Sequence, residues 1–305
     1  MEEVVNKIIC CDVLEGLKKI PDGIVSLIVS SPPYNVGKNY TNNNDNLTYE
    51  NYLFWLKGIF IECKRVLKTG GRMAINIDAM ASDERDKEYS RCIYAHLYNM
   101  MKEIGMLFRT EICWYKQNAS GNATCWGSYL SCSSPTIRRN HEYILIFSKD
   151  SWRLEGNNEL SDMTKEEFEQ YTLSTWIIQP ERKKNGDHPA TFPEELAKRL
   201  IKLFSYREDI VLDMFSGSGT TPYMARKLGR KYIGIDNSKE YCDFAEQRIK
   251  TLDDIVFDEK YIPRSERFKT NKQRVKEGLP PIKRLSRSEK KKLKIDSKKE
   301  GLFNV

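Results

Sequence analysis

The sequence contains no uninterrupted apolar run of the roughly 18 residues that a membrane-spanning helix requires. It also has no charged-then-apolar leader. Met1-Glu2-Glu3 is acidic, which points to a cytoplasmic protein, with no membrane among its partners. No CxxC pair occurs among the eight cysteines, and Cys10-Cys11, Cys125 and Cys132 lack a partner at metal-site spacing. No metal site is therefore expected, and the cysteines read as reduced thiols, most of them packed in a core. A GxxxxGK[ST] phosphate loop is also missing.

Excess positive charge is almost confined to one place. Lys260–Val305 holds 16 Lys and Arg against 5 Asp and Glu, whereas residues 1–259 hold 34 against 38. A basic tail on a slightly acidic body suits a polyanionic partner. The tail has few apolar residues and reads as extended when free.

The 305 residues are enough for one large domain, with or without a small second one. Asn6–Cys11 and Ile24–Ser30 are short apolar β-rich runs of the parallel-sheet type. Tyr52, Leu53, Leu56, Ile59, Phe60, Cys63 and Leu67 recur at spacings of three and four, predicting a helix over 48–67 that stops at Gly70-Gly71. A strand follows at Arg72–Ile77, then a helix at Tyr89–Ile104, and strands at Leu107–Tyr115 and His141–Ser148. After a polar stretch the alternation resumes, with helices at 193–204, 221–228 and 239–252 and strands at 210–214 and 231–235. This is an α/β fold, a mostly parallel sheet with helices on both faces. The stretches 117–140 and 150–187 read as irregular insertions on that core, the latter with one helix at Lys165–Tyr171.

Two constellations carry chemistry. In the first, Asp213-Met-Phe215-Ser-Gly217-Ser218-Gly219-Thr220-Thr221 follows a strand and opens a helix, and Asp236 ends the next strand. Glycines allow close backbone approach to a ligand, and an acid at the following strand end can hold a ribose diol. The spacing lacks the third glycine of a dinucleotide loop, so it does not select a nucleotide by itself. In the second, Ser31-Pro32-Pro33-Tyr34 follows the strand IVSLIVS. Its prolines fix the backbone and remove two donors, leaving a hydroxyl, carbonyls and a ring suited to a planar amine.

In this order the two motifs resemble the circularly permuted β class of DNA amino-methyltransferases. The resemblance covers about residues 6–252 and includes Asp12 and the run His188-Pro-Ala-Thr-Phe192-Pro193. It implies a Rossmann-like methyltransferase fold, S-adenosylmethionine as cofactor and double-stranded DNA as partner. Asp213, Phe215, Gly217, Ser218, Gly219, Thr220 and Phe192 would line the cofactor pocket. Asp236 would take the ribose hydroxyls and Asp12 the adenine. Ser31 and the Pro32 carbonyl would receive the amine of a flipped base stacked on Tyr34, and methyl transfer would be direct and in line. Serine at position 31, together with 126–135 and 138–142, resembles the members acting on cytosine N4. Adenine N6 and a catalytically silent DNA-binding protein are the alternatives. Carbon-5 chemistry is disfavoured because no proline precedes a cysteine.

The resemblance divides the chain into 1–149 (catalytic half), 150–187 (target recognition, with 117–140 contributing), 188–258 (cofactor half) and 259–305 (basic tail). Arg138, Arg139, Arg182, Lys183 and Lys184 are the expected duplex contacts. A homodimer and a separately encoded restriction endonuclease are both compatible with such an enzyme.

Overall fold

The computed structural model describes residues 3–33, 47–79, 91–117, 132, 139–180, 192–252, 275–276 and 278. The chain divides into two compact units, Met1–Tyr261 and Ile262–Val305. Of the second, only Val275, Lys276 and Gly278 are described, so the expected basic tail lies outside the described residues.

The elements of the first unit are β1 (Lys7–Cys10), α1 (Val13–Lys18), β2 (Val25–Ser30), α2 (Tyr49–Val66), β3 (Leu67–Ile77), α3 (Ile93–Glu103), β4 (Met106–Tyr115) and β5 (His141–Lys149). They continue with α4 (Lys165–Tyr171), β6 (Thr175–Ile177), α5 (Glu194–Phe204), β7 (Ile210–Asp213), α6 (Thr220–Lys227), β8 (Lys231–Asp236) and α7 (Lys239–Lys250). Local chemistry sets the helix starts. Thr48 and Ser238 cap α2 and α7 through their hydroxyls, and Thr164 with Glu167 forms a reciprocal capping box on α4.

One eight-stranded sheet runs in the order β1-β8-β7-β2-β3-β5-β4-β6. Every neighbouring pair is parallel except the two that involve β5, the one reversed strand among the described residues. Buried side chains of α1, α2 and α3 form a core on one face, with Leu17, Leu56, Phe60 and Met101 at its centre. Those of α5, α6 and α7 form a second core on the other face, around Leu196, Leu200 and Ala245. The chain winds outward from between β7 and β2, towards β8 on one side and β3 on the other. That is the point where open α/β sheets leave a crevice at the carboxyl ends of their strands.

The observed elements differ from the sequence reading in four places. Helix α1 has no counterpart in that reading. Helix α3 begins at Ile93, after Arg91 and Cys92, and not at Tyr89. Gly70-Gly71 does not end α2, whose last residue is Val66; the pair lies inside β3. There the register against β2 shifts between Val25 and Leu27, forming a bulge. Gly70 has a φ of +72°, and a Cβ on it would lie 1.9 Å from the Arg153 carbonyl oxygen.

The stretch expected as an irregular insertion is, over 151–180, partly a component of the sheet. Strand β6 pairs with β4, and Trp176, 1% exposed, fills the α5–α7 core. Asp162 holds Arg230, whose side chain is fully buried just before β8, and Glu167 holds Lys202 of α5 at 2.7 Å. These pairs bind the stretch to α5 and to the residue preceding β8.

Gly70→Ala should destabilise the first unit by about 2 kcal/mol or more, because both the positive φ and a backbone oxygen oppose a side chain. Urea unfolding of the parent and the variant measures this.

Candidate active site at the carboxyl edge of the sheet

Strands β1, β8, β7 and β2 are consecutive in the sheet, so their carboxyl ends bring Asp12, Asp236, the 213–221 turn and Ser31–Pro33 onto one edge. The two motifs, distant in sequence, are joined directly. Ser30 Oγ donates to Asp213 Oδ1 at 2.6 Å, and Thr221 Oγ1 donates to the Val29 carbonyl at 3.4 Å. Asp213 is 2% exposed and also accepts from Phe215 N–H at 3.1 Å. Its carboxyl lies beneath the turn and organises it.

Burial pushes the Asp213 carboxyl up to about 6, against the opposing hydrogen bonds from Ser30, Phe215 and Thr221; the nearby Asp236 charge adds to the rise. Asp236 closes the other side of the turn. Its two oxygens accept from Gly217 N–H at 2.8 Å and Ser238 N–H at 2.9 Å. Gly217 and Gly219 both have positive φ. A Cβ at Gly219 would lie 2.6 Å from the Ala245 Cβ, so this glycine is required for α7 to pack against the start of α6.

Ser218 and Thr220 are buried, and both are held by Arg248 of α7. It donates to the Ser218 carbonyl at 3.3 Å and to Thr220 Oγ1 at 3.2 Å, while Glu194 accepts its other nitrogen at 2.7 Å. Phe192 is buried in the core at the start of α5. Phe215 is half-buried against Trp55 of α2, with ring centroids 5.8 Å apart. Asp12 caps α1 by accepting from Leu14 N–H at 2.8 Å and Glu15 N–H at 3.4 Å.

In the second motif the Pro33 carbonyl accepts from Tyr52 Oη at 2.8 Å, which fixes the chain after Ser31 to α2. Tyr34, Arg138, Arg182, Lys183 and Lys184 lie outside the described residues. Arg139 pairs with Asp78 at 3.4 Å, so its guanidinium lies just beyond the carboxyl end of β3.

Sequence reasoning missed Ser30, Tyr52, Glu194 and Arg248, the residues that hold the two motifs in place. It also missed a polar chain across the neighbouring strands. Lys116 pairs with Glu142 Oε1, and Glu142 Oε2 accepts from Asn76 Nδ2 at 2.6 Å. Asn76 is 4% exposed and its Oδ1 has no hydrogen-bond partner among the described residues. An unmet buried acceptor costs about 1–3 kcal/mol.

This geometry suits a ligand with positive charge and hydroxyl groups. Two carboxylates border the glycine turn, a poor setting for a pyrophosphate, and among the described residues no group of His, Cys, Asp and Glu could hold a metal ion. Asp236 retains lone pairs for a ribose diol beside its two backbone donors, and the helix N-terminus opens behind the glycines. S-adenosylmethionine, a cationic nucleoside without phosphate, fits these residues.

Fold and site together define a Rossmann-like methyltransferase. The chain matches the DNA methylase family of N6 and N4 amino-methyltransferases over residues 25–247, and it belongs to that family, which is S-adenosylmethionine-dependent. The Type II methyltransferase M.HpaI of Haemophilus parainfluenzae is 30% identical over 254 residues, covering 80% of this chain and 74% of its own. The DNA adenine methyltransferase YhdJ of Escherichia coli K12 is 29% identical over 260 residues, covering 78% and 80%. Among solved structures, TTHA0409 of Thermus thermophilus, assigned as a DNA modification methylase and complexed with S-adenosylmethionine, superposes with a TM-score of 0.65. It is 28% identical, over 80% of this chain and 93% of that one.

Asp213 binds its proton more tightly in the folded protein than in the unfolded chain, so its ionised form opposes folding. That cost is full at pH 7 and fades as the pH falls below about 6 towards the ordinary carboxyl range. Asp213→Asn keeps an acceptor for Ser30 and Phe215 without the charge. It should therefore be more stable than the parent at pH 7, by about 1–3 kcal/mol, with the difference shrinking towards pH 4. Thermal unfolding across that range checks the sign.

Proposed function

We propose that the protein methylates the exocyclic N4 amine of a cytosine within a specific sequence of double-stranded DNA. The observation that carries this reading is the buried Ser30–Asp213 hydrogen bond, which seats Ser31-Pro32-Pro33 beside the glycine turn. Serine at position 31, where members acting on adenine more often have aspartate, favours cytosine. Adenine N6 is the second reading, supported by the similarity to YhdJ.

The chemistry asked of these residues is modest. S-adenosylmethionine, when bound, supplies an activated sulfonium methyl group. An exocyclic base amine is a poor nucleophile because its lone pair is delocalised into the ring. Acceptors at Ser31 and the following carbonyl draw on its N–H bonds, make nitrogen more tetrahedral and free that lone pair. The proline pair holds those acceptors in one geometry, and the Tyr52 hydroxyl keeps the chain after them fixed. Tyr34 supplies the stacking surface that offsets unstacking of the target base. Asp236 holds the ribose, and Asp213, Phe215, Phe192 and the 217–220 backbone shape the methionine end. Asp12 meets the adenine.

Arg138, Arg139, Arg182, Lys183 and Lys184 contact the duplex, with 150–187 and 117–140 forming the target-recognition face. The basic tail adds sequence-independent affinity through phosphate contacts. Similarity to Type II methyltransferases suits a role alongside a restriction endonuclease, in the cytoplasm.

Incubation with S-adenosylmethionine and mixed-sequence DNA, followed by digestion to nucleosides and mass analysis, should yield N4-methylcytosine. N6-methyladenine as the sole product would transfer the assignment to the second reading. Ser31→Ala should lower the transfer rate about 100-fold or more while leaving cofactor affinity within about twofold. Truncation after Asp258 should weaken DNA binding at moderate salt and flatten its salt dependence without changing the site methylated, measured by fluorescence anisotropy and sequencing of the product.

A further inference from the structure

Two glutamines meet where the stretches proposed for target recognition leave the sheet. Strands β4 and β6 are parallel neighbours, with Tyr115 level with Ile177. Strand β5 runs antiparallel to both β3 and β4, and β3 is parallel to β2, so β4 and β6 end at the same edge as β2. Two residues beyond these ends, Gln117 and Gln179 come level, and Gln179 Nε2 donates to Gln117 Oε1. Gln117 opens the 117–140 stretch and Gln179 lies near the end of 150–187. Gln179 is exposed and Gln117 half-buried.

The backbone beneath this pair is held from several sides. Ile178 N–H donates to the Tyr115 carbonyl at 3.3 Å, and Lys116 N–H donates to the Asn140 carbonyl at 2.8 Å. Trp114 Nε1 donates to the Ile178 carbonyl at 2.9 Å, and the Lys116 ammonium lies 4.7 Å from the centre of the Trp114 ring. Gln117 has a φ of +53°, in the left-handed region that side chains rarely adopt. Its position is therefore imposed by these neighbours and not by its own backbone preference.

The bond between the two amides defines what they can offer a ligand. A side-chain amide has one carbonyl and one NH2 group. Whichever amide donates, it keeps its own carbonyl free and leaves its partner with a free NH2. The pair thus always presents one acceptor and one donor side by side, and among the described residues neither has another partner. In the major groove only adenine shows that complement on one base, with a donor at N6 and an acceptor at N7. Guanine shows two acceptors, thymine an acceptor beside a methyl group, and cytosine a donor alone.

The distance from the proposed amine site suits a base within one recognition sequence. Adjacent strands are about 4.8 Å apart, and β4 and β6 are three and four strands from β2, so about 14 and 19 Å away. For a duplex lying along this edge, at about 3.4 Å per base pair, that is about four to six base pairs.

We infer that Gln117 and Gln179 form a base-reading pair that specifies adenine of an A·T pair, about four to six base pairs from the methylated base. The inference rests on the DNA methyltransferase reading above and gives its target-recognition face two specificity-determining residues.

The test uses the full chain, S-adenosylmethionine and unmethylated genomic DNA, with methylated positions mapped by long-read sequencing. The parent should favour A·T over the other pairs at one such position by about 10- to 100-fold. Gln179→Leu should reduce that preference to within about threefold, leaving the other positions, cofactor affinity and thermal unfolding unchanged. Gln179→Arg, which offers donors only, should move the preference at the same position towards guanine. A parent site with no A·T pair at that distance overturns the inference. So does Gln179→Leu if it keeps the parent's preference at every position, or weakens methylation equally on all sequences. Should Gln179→Leu fail to fold, Gln179→Arg with the parent's sequence preference overturns it. If the parent methylates no DNA, the functional reading itself fails, which is a different outcome from any of these.

Discussion

Asp213 is a carboxylate placed where water cannot reach it, held by a hydroxyl from a strand 183 residues earlier. Most of the proposed site depends on that contact. It ties β7 to β2 at the level where both strands end, so the glycine turn and the Ser-Pro-Pro run are fixed relative to one another. In-line transfer between two substrates demands such rigidity, because small misplacements of donor and acceptor sharply lower the rate. The raised proton affinity of Asp213 is the thermodynamic mark of that arrangement. The fold tolerates an ionisable group at its centre in return for a turn of defined shape.

Support comes in a ring around this contact. Arg248 reaches from α7 to the Ser218 carbonyl and the Thr220 hydroxyl and is itself held by Glu194 at the start of α5. Tyr52 reaches from α2 to Pro33. Helices on opposite faces of the sheet therefore clamp the two halves of the site independently. A substitution at Arg248 would loosen the glycine turn, while one at Tyr52 would loosen the Ser-Pro-Pro run.

Much of this was legible in the sequence. The alternation of apolar runs with helical spacings gave the sheet and most of its helices, because strands buried on both faces and amphipathic helices leave strong periodic signals. The turn built by Asp213, Gly217, Gly219 and Asp236 was legible because turn chemistry constrains residue type tightly. Four features were illegible for physical reasons. Helix α1 is six residues long, below what periodicity can reveal, although Asp12 and Glu15 carry its capping signature. Gly70-Gly71 resembles a helix stop but serves a bulge, and only the approach of Arg153 distinguishes the two. Strand β6 is three residues long and is recruited by pairing and by the burial of Trp176. Ser30 and Asn76 each look like a tolerated polar residue in an apolar run, since their significance depends on partners distant in the chain.

The order of the strands also bears on synthesis. Among the described residues the first strand, β1, lies beside the last, β8, with Cys10 level with Asp236. On the ribosome, β1 and its Asp12 must wait unpaired until some 230 further residues have been made. Strands β3, β5 and β4, by contrast, are joined by antiparallel pairing and find their neighbours early. The β1–β8 edge is therefore the last part of the sheet to close, and for most of translation the nascent chain carries a β1 segment without its partner. Pairings this far apart close slowly and leave strand edges exposed in the meantime.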